Sequence, residues 1–375
     1  MDNLRFYNVN YSKCNTFSKQ ISNVDAFSKL KSIQTTSNGG AYNPRYGDND
    51  LFPLNDVHYN CKPTTFDPNF NESFSDIADQ RAIQLIQKAI KEDKDLMVKF
   101  SGGIDSTTVL CAILKWIPDH YKSRFYVALT TESIFENLQL FIDHIQHLNI
   151  VSYMQSLEPD TIDKTIIIDG LLVDGLIGWD RSVYLKENNL PYKQNLTKLK
   201  KYFGDDADWL ISYFEEDINK NCPVPIKTIY EFLWWPPYNG MYTYSHLASY
   251  RDNYTLRDSL ANKPHDPQYI DNMLLNHTIM FFNDLKFDKW ALVNLGKPTM
   301  VDSSVNHISH KIMAKQYISD FTKKPYDYVK VGSGAIFHFL RKDSMIGTTN
   351  NYEIVGHNDR AVRELLIKTI NDMRL

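Results

Sequence analysis

Cysteine is scarce in this chain, and what there is lies scattered. Cys14, Cys61, Cys111 and Cys222 are the only four in 375 residues. No CxxC pair occurs, and a disulfide framework in so long a chain would be unusual. His58 and Cys61 have metal-like spacing, but no second pair completes a site, so they read as loop residues. Basic residues are not in excess either. The 41 Lys and Arg stand against 45 Asp and Glu, a net charge of −4. No broad positive field is therefore available to hold nucleic acid by phosphate neutralisation. The local run Lys198, Lys200, Lys201 reads as a solvated helix face. Long hydrophobic runs are missing too. Nothing approaches the stretch of about 18 apolar residues that a membrane-spanning helix needs. The opening, MDNLRFYNVNYSKC, is too polar for a signal peptide. No membrane partner is expected, and the cytoplasm is the default compartment.

What is present is apolar and aromatic material enough for a large core, with 43% hydrophobic residues and 23% charged ones. That length allows two or three packed units of roughly 100–200 residues. Residues 1–72 are polar, rich in Asn, Ser and turn signals, and weak in periodicity. They read as an irregular N-terminal segment with a few short strands. At Ser73 the texture changes. Ile77, Ala82, Ile83, Leu85, Ile86 and Ile90 recur at nearly helical spacing. A strand over Asp95–Phe100, a turn over Ser101–Asp105 and a helix to about Trp116 follow. The pattern repeats with a strand at Arg124–Thr130. A helix comes next, with Ile134, Leu138, Phe141, Ile142 and Ile145 on one face. Short strands then fall at Ile150–Met154 and Thr165–Asp169. Strands alternating with helices predict an α/β fold, a parallel sheet covered by helices on both faces. Beyond residue 180 the pattern turns mainly helical, and Trp234-Trp235-Pro236-Pro237-Tyr238 breaks it. Aromatic packing around that break is the simpler reading; an acceptor pocket is the alternative. His307 and His310 read as sharing one helix face near a C-terminal loop.

The turn after the first strand, SGGIDSTT, carries the chemistry. Two adjacent glycines let backbone approach a ligand closely. The following helix aims its unpaired N–H groups and positive dipole end at the turn. Ser101, Ser106 and Thr107 add hydroxyls. The set makes an anion cradle at the carboxyl end of a strand, where open parallel sheets bind ligands. A helix capped by Asp105 or Ser106 would explain one of these residues, but not SGG before it and STT after it. The turn is not a Walker A loop, because no lysine follows the glycines. Asp105 suits a phosphate site only with Mg²⁺ between the two, since hard cations take carboxylate and phosphate oxygens together.

SGGIDS resembles the SGGxDS signature of the PP-loop (N-type) ATP pyrophosphatases, which split ATP into AMP and pyrophosphate. Asp169–Asp180, DGLLVDGLIGWD, resembles the SGEGADELFGGY motif of the asparagine synthetase synthase domain, with Gly170, Asp174, Leu176 and Gly178 in step. Tyr328–Gly334, YVKVGSG, resembles the lysine loop of the asparagine and β-lactam synthetases. Phe281–Leu292 resembles the helix that precedes that loop. The likeness implies a Rossmann-like (HUP/PP-loop) domain over residues 73–375, with 181–275 a divergent helical insertion. It implies that Ser101, Gly102, Gly103, Ile104, Asp105, Ser106, Thr107 and Gly170 hold ATP, with adenine near Leu129 and Thr130. It implies Mg²⁺ on Asp105 and Asp174, and Lys330 as the transition-state cation. The implied activity is an AMP-forming, amide-bond-forming ligase that adenylates a small-molecule carboxylate and passes it to ammonia or an amine. Two departures stand out. Asp2 replaces the family's N-terminal nucleophilic Cys, so nitrogen would come from free ammonia, an amine or a separate amidotransferase subunit. Leu171 stands where the family has a glutamate that handles the acceptor. Asp169, Asp180 and Glu132 lie near the same sheet edge as substitutes. A divergent, non-catalytic nucleotide-binding protein and a PP-loop enzyme modifying a nucleobase or RNA are the alternatives.

Overall fold

Strand and helix alternate after residue 73 in the computed structural model as the periodicity predicts. The structure describes residues 7–8, 58–59, 64–129, 131–152, 163–171, 173–177, 189–203, 207–241, 278–297, 301–302 and 309–326. Near the start of the chain, β1 (Tyr7–Asn8) pairs antiparallel with β2 (His58–Tyr59). His58 therefore belongs to a short strand, not a loop. By contacts the chain divides into two compact units.

One unit takes Asp79–Gly170, His277–Ile279 and Gln316–Leu375. Its centre is a sheet of five strands: β3 (Asp95–Phe100), β4 (Phe125–Leu129), β5 (Asn149–Ser152), β6 (Thr165–Asp169) and β7 (Thr278–Met280). The spatial order is β5-β4-β3-β6-β7. β3 pairs parallel with β4 and with β6, and β4 pairs parallel with β5. Every residue of β6, and all but the first of β3, is buried. Strands covered on both faces read as continuous apolar runs, which is why DLMVKF and TIIID were legible. From β3 the chain builds outward on one side through β4 and β5, then returns to add β6 on the other. The gap between β3 and β6 is therefore the point where strand order reverses.

The helices of this unit bury most of what the spacing predicts. In α1 (Phe74–Lys91), Ala82, Leu85 and Ile86 are buried as expected, but Ile83 is half-buried and Ile90 exposed, and Ala89 takes the inner position in the last turn. In α2 (Ile104–Trp116), everything from Ser106 to Ile113 is buried. The segment after β4 departs from the single helix face expected. It forms α3 (Thr131–Glu136), a break at Asn137, one short turn at Leu138–Leu140 and a π-helical turn at Phe141–Ile145. The Asn137 side chain accepts the Leu140 N–H at 3.2 Å and restarts the helix. The wide π turn then changes the phase. Ile134, Phe141 and Ile145 go inside, while Ile142 remains exposed.

The other unit takes Met1–Ala78, Leu171–Asn276 and Met280–Lys315. Its described part is mainly helical: α4 (Val173–Ile177), α5 (Leu196–Phe203), α6 (Ala207–Asn221), α7 (Ile229–Pro236) and α8 (Leu285–Asn294). A capping box of Thr228 and Glu231 starts α7. Trp234 to Tyr238 does not break the chain's helical course. The helix runs to Pro236 and continues as a π-helical turn, Pro237–Met241. The two prolines remove two N–H donors, and the wider turn takes up the mismatch. Aromatic packing holds here. Trp234, Trp235 and Tyr238 are wholly buried, and Trp234 stacks on Tyr238 at 4.3 Å. Trp234 Nε1 donates to the Leu176 carbonyl at 2.8 Å, and the Tyr230 hydroxyl donates to that of Ile177 at 2.6 Å. Those bonds satisfy the open end of α4.

β8 (Val301–Asp302) pairs antiparallel with β9 (Ser309–His310). His310 thus lies on a strand rather than a helix face. Lys311 at φ 55° makes the turn into α9 (Ile312–Thr322), which begins two residues after His310. His307 lies outside the described residues. Among the described residues no helix is long and apolar enough to cross a membrane.

Candidate functional site

The carboxyl end of β3 runs straight into the glycine turn. Phe100 closes the strand, and Gly102 takes φ 80°, a region that residues with a side chain reach at a cost. Space forbids a side chain there as well. A Cβ on Gly102 would stand 2.5 Å from the Glu136 Cβ and 2.6 Å from the Ser133 carbonyl oxygen. Gly102 is the point where the turn is pressed onto α3. Gly103 is extended, at φ −71° and ψ 163°, and opens α2 without any side-chain cap. Asp105 and Ser106 are therefore not the caps that a plain strand–helix junction would use. The first-turn N–H groups of α2 have no intrahelical carbonyl to bond.

Ser106 holds the turn together. Its Oγ accepts the Ser101 N–H at 3.1 Å and donates to the Gly103 carbonyl at 3.1 Å. The Ser101 and Ser106 hydroxyls lie 3.0 Å apart. Ser101 Oγ also accepts the Gly103 N–H at 3.4 Å. Thr107 is wholly buried, and its hydroxyl donates to the Gly102 carbonyl at 3.4 Å. These hydroxyls shape the backbone. The face left for an anion is mainly amide, the arrangement by which backbone cradles phosphate. Ile104 and Asp105 are half-buried at the mouth of the helix, and Asp105 stands in its first turn.

The strand across the reversal point reaches the same turn. Gly170 directly follows β6, and a Cβ on it would meet Ser106 Cα at 2.9 Å, Ser106 N at 3.0 Å and Asp105 C at 3.1 Å. No positive φ is involved, so the need for glycine is close approach of two backbones. The same two strands carry a buried ion pair, Lys99 on β3 and Asp169 on β6, with Nζ and Oδ2 3.9 Å apart. Lys99 was not a sequence candidate. Its signal was a single charge inside MVKF, in a strand otherwise apolar to its end. Glu136, buried beside Gly102, left no signal, because nothing in the spacing ties it to a turn more than 30 positions earlier.

Leu129 ends β4, buried. Cys111, on α2, is wholly buried, and burial pushes its thiol well above the ordinary range. Asp174 lies on α4, in the unit that begins again at Leu171, and its side chain falls outside the described residues. Thr130, Asp180 and Lys330 also fall outside them. Leu171 itself is exposed. Among the described residues no cluster of three or more His, Cys, Asp or Glu forms a metal site. No family model matches this chain, and no curated protein matches it.

Proposed function

We propose that this protein is a nucleotide-dependent ligase of the asparagine synthetase-like kind, built on a Rossmann-like PP-loop domain. The observation that carries the proposal is the turn Ser101–Thr107 at the reversal point of a parallel sheet. There Gly102 admits no side chain and α2 opens on amide N–H groups. Open α/β sheets take ligands at that point, and uncapped helix ends take phosphate. ATP is the substrate. Its polyphosphate lies on the amides of Ile104, Asp105 and Ser106, and its adenine lies toward Leu129 and Thr130.

Asp105 and Asp174 are the residues that would hold Mg²⁺. Asp105 offers a half-buried carboxylate at the helix mouth, where a bare phosphate would be repelled, and Asp174 is the second expected ligand. Bound there, the ion would neutralise charge on the pyrophosphate. The turn orients the polyphosphate so that a substrate carboxylate attacks the α-phosphorus in line and pyrophosphate leaves. Lys330 stabilises the charge that develops on the leaving group. An amine or ammonia, free or delivered by a separate amidotransferase subunit, then displaces AMP and forms the amide.

Leu171 favours a second reading. A leucine cannot accept a proton, and it stands where the resemblance requires a glutamate. On that reading the chain binds nucleotide without completing the transfer.

A pyrophosphate-release assay decides between the two. Purified protein, ATP and Mg²⁺ are incubated with panels of carboxylates and amines, and AMP is identified as the co-product. Pyrophosphate and AMP in equal amounts, dependent on a carboxylate, support the ligase. ATP binding without pyrophosphate release selects the second reading. Absence of ATP binding overturns both.

A further inference from the structure

The Lys99–Asp169 pair is poorly explained by stability. β3 is otherwise apolar, with Leu96, Met97, Val98 and Phe100 at most 1% exposed. Lys99 and Asp169 are themselves only 4% and 7% exposed. Burying two charges costs more solvation than their attraction commonly returns, and an apolar pair of similar volume is often as stable or more so. A charge pair in such a strand therefore calls for a second reason.

Its position supplies one. The pair bridges the carboxyl ends of β3 and β6, the two strands that flank the reversal of strand order. Each partner is tied to the first turn of α2 through its neighbours. Ser101, two residues after Lys99, hydrogen-bonds to Ser106, and Gly170, the residue after Asp169, lies against the Ser106 backbone. The Nζ–Oδ2 distance of 3.9 Å is longer than a charge-assisted hydrogen bond of about 2.7–2.9 Å, so the two are held as an ion pair and not by a direct hydrogen bond.

Resting on the nucleotide reading above, we infer that Lys99 is a phosphate-binding residue of the turn. Its ammonium exchanges Asp169 for an oxygen of the pyrophosphate group, and Asp169 is the positioning residue that holds it in place before the ligand binds. The turn then carries a lysine after all, supplied by the strand before the glycines rather than by the helix after them.

Two single variants separate this from a structural role, because both break the same pair. Lys99→Met removes the cation, while Asp169→Asn removes only the competitor for it. Binding of magnesium pyrophosphate and of ATP with Mg²⁺ is measured by calorimetry, with melting temperatures taken in parallel. The wild type is expected to bind both. Lys99→Met is expected to bind pyrophosphate roughly 10- to 100-fold more weakly, the size of one charge-assisted hydrogen bond. Asp169→Asn is expected to melt lower, yet to bind pyrophosphate as tightly as the wild type or more so. Should Lys99→Met fold poorly, the charge-free Lys99→Met/Asp169→Asn protein takes its place, with the same weak binding expected. Wild-type-like binding without Lys99, or a shift in the same direction in both single variants, overturns the inference alone. A wild type that binds neither ligand overturns the nucleotide reading, and this inference with it.

Discussion

Gly102 and Glu136 occupy the same space up to the limit of contact. A Cβ on Gly102 would come within 2.5 Å of the Glu136 Cβ and 2.9 Å of its Cγ, at a backbone φ of 80°. Gly102→Ala therefore faces both a left-handed conformation and a clash. The first costs about 1–2 kcal/mol and the second typically 1–3 kcal/mol. Its neighbour differs: a Cβ on Gly103 would meet nothing nearer than Ser101 Oγ at 3.5 Å. Gly103→Ala is expected to cost about 1 kcal/mol or less, the price of a poorer cap residue. Urea denaturation of the two variants side by side checks the contrast. Equal losses would show that the turn yields freely at Gly102.

The Gly170 prediction rests on space alone. Its three nearest obstacles are backbone atoms of Asp105 and Ser106, which cannot swing aside. Gly170→Ala is expected to destabilise by about 1–3 kcal/mol and to push β6 and α2 apart. Because the shift falls on the helix mouth, ATP affinity should drop in the same variant. A melting curve and a binding isotherm together test this, and a variant that loses neither would refute it.

Ser106 and Thr107 should behave differently from each other. Ser106→Ala removes one oxygen that accepts the Ser101 N–H and donates to the Gly103 carbonyl. Leaving those groups unmatched costs about 1–3 kcal/mol. Nucleotide binding should weaken with it, as the turn loses its tie. Thr107→Val removes only a long bond of 3.4 Å to the Gly102 carbonyl, from a side chain with no access to solvent. Its ATP affinity is expected to stay within about threefold of the wild type, under 1 kcal/mol. A Thr107→Val protein that binds fully folded but tenfold more weakly would mean the hydroxyl reaches the ligand.

His144 gives a pH test of the sheet unit. Its ring lies 5.1 Å from Phe321, and burial lowers its pKa from the ordinary 6.5, with Lys324 adding to the effect and Asp143 opposing it. A histidine depressed in the native state is held neutral there, so the unfolded chain binds more protons between the native value and 6.5. Its contribution to stability is complete above that range and is lost as pH falls through it. The melting temperature should therefore fall on acidification below about pH 6.5. The fall should be shallower in His144→Gln. Superimposable pH profiles of the two proteins would remove His144 from the account.

α7, in the other unit, offers a control. Thr228→Ala removes the side chain that accepts the Glu231 N–H, one half of the capping box. A loss of about 0.5–2 kcal/mol is expected in urea denaturation. Pyrophosphate affinity of the folded protein should not change. A variant as stable as the wild type would mean that the box contributes nothing.

Local pattern determined a good deal of this protein. β3 and β6 were readable because a strand covered on both faces must be apolar throughout, and α1 because a helix against a sheet buries a stripe at its own period. The turn between β3 and α2 was readable because two glycines and three hydroxyls in a row make no sense as a cap alone. Other features depend on atoms distant in the chain. The π turns at Phe141 and Pro237 answer to tertiary packing, so the expected helix face after α3 and the expected break at the prolines came out differently. Why Gly102 and Gly170 must be glycines appears only when α3 and β6 are brought against the turn, since the obstacles are Glu136, Ser133 and Ser106, residues no spacing rule connects. Lys99 looked like one charge in a greasy strand until β6 was placed beside β3. Periodicity reports how a residue meets its own element and the nearest surface. Which two charges share a buried edge is decided by strand order, and strand order is set by the packing of the whole sheet.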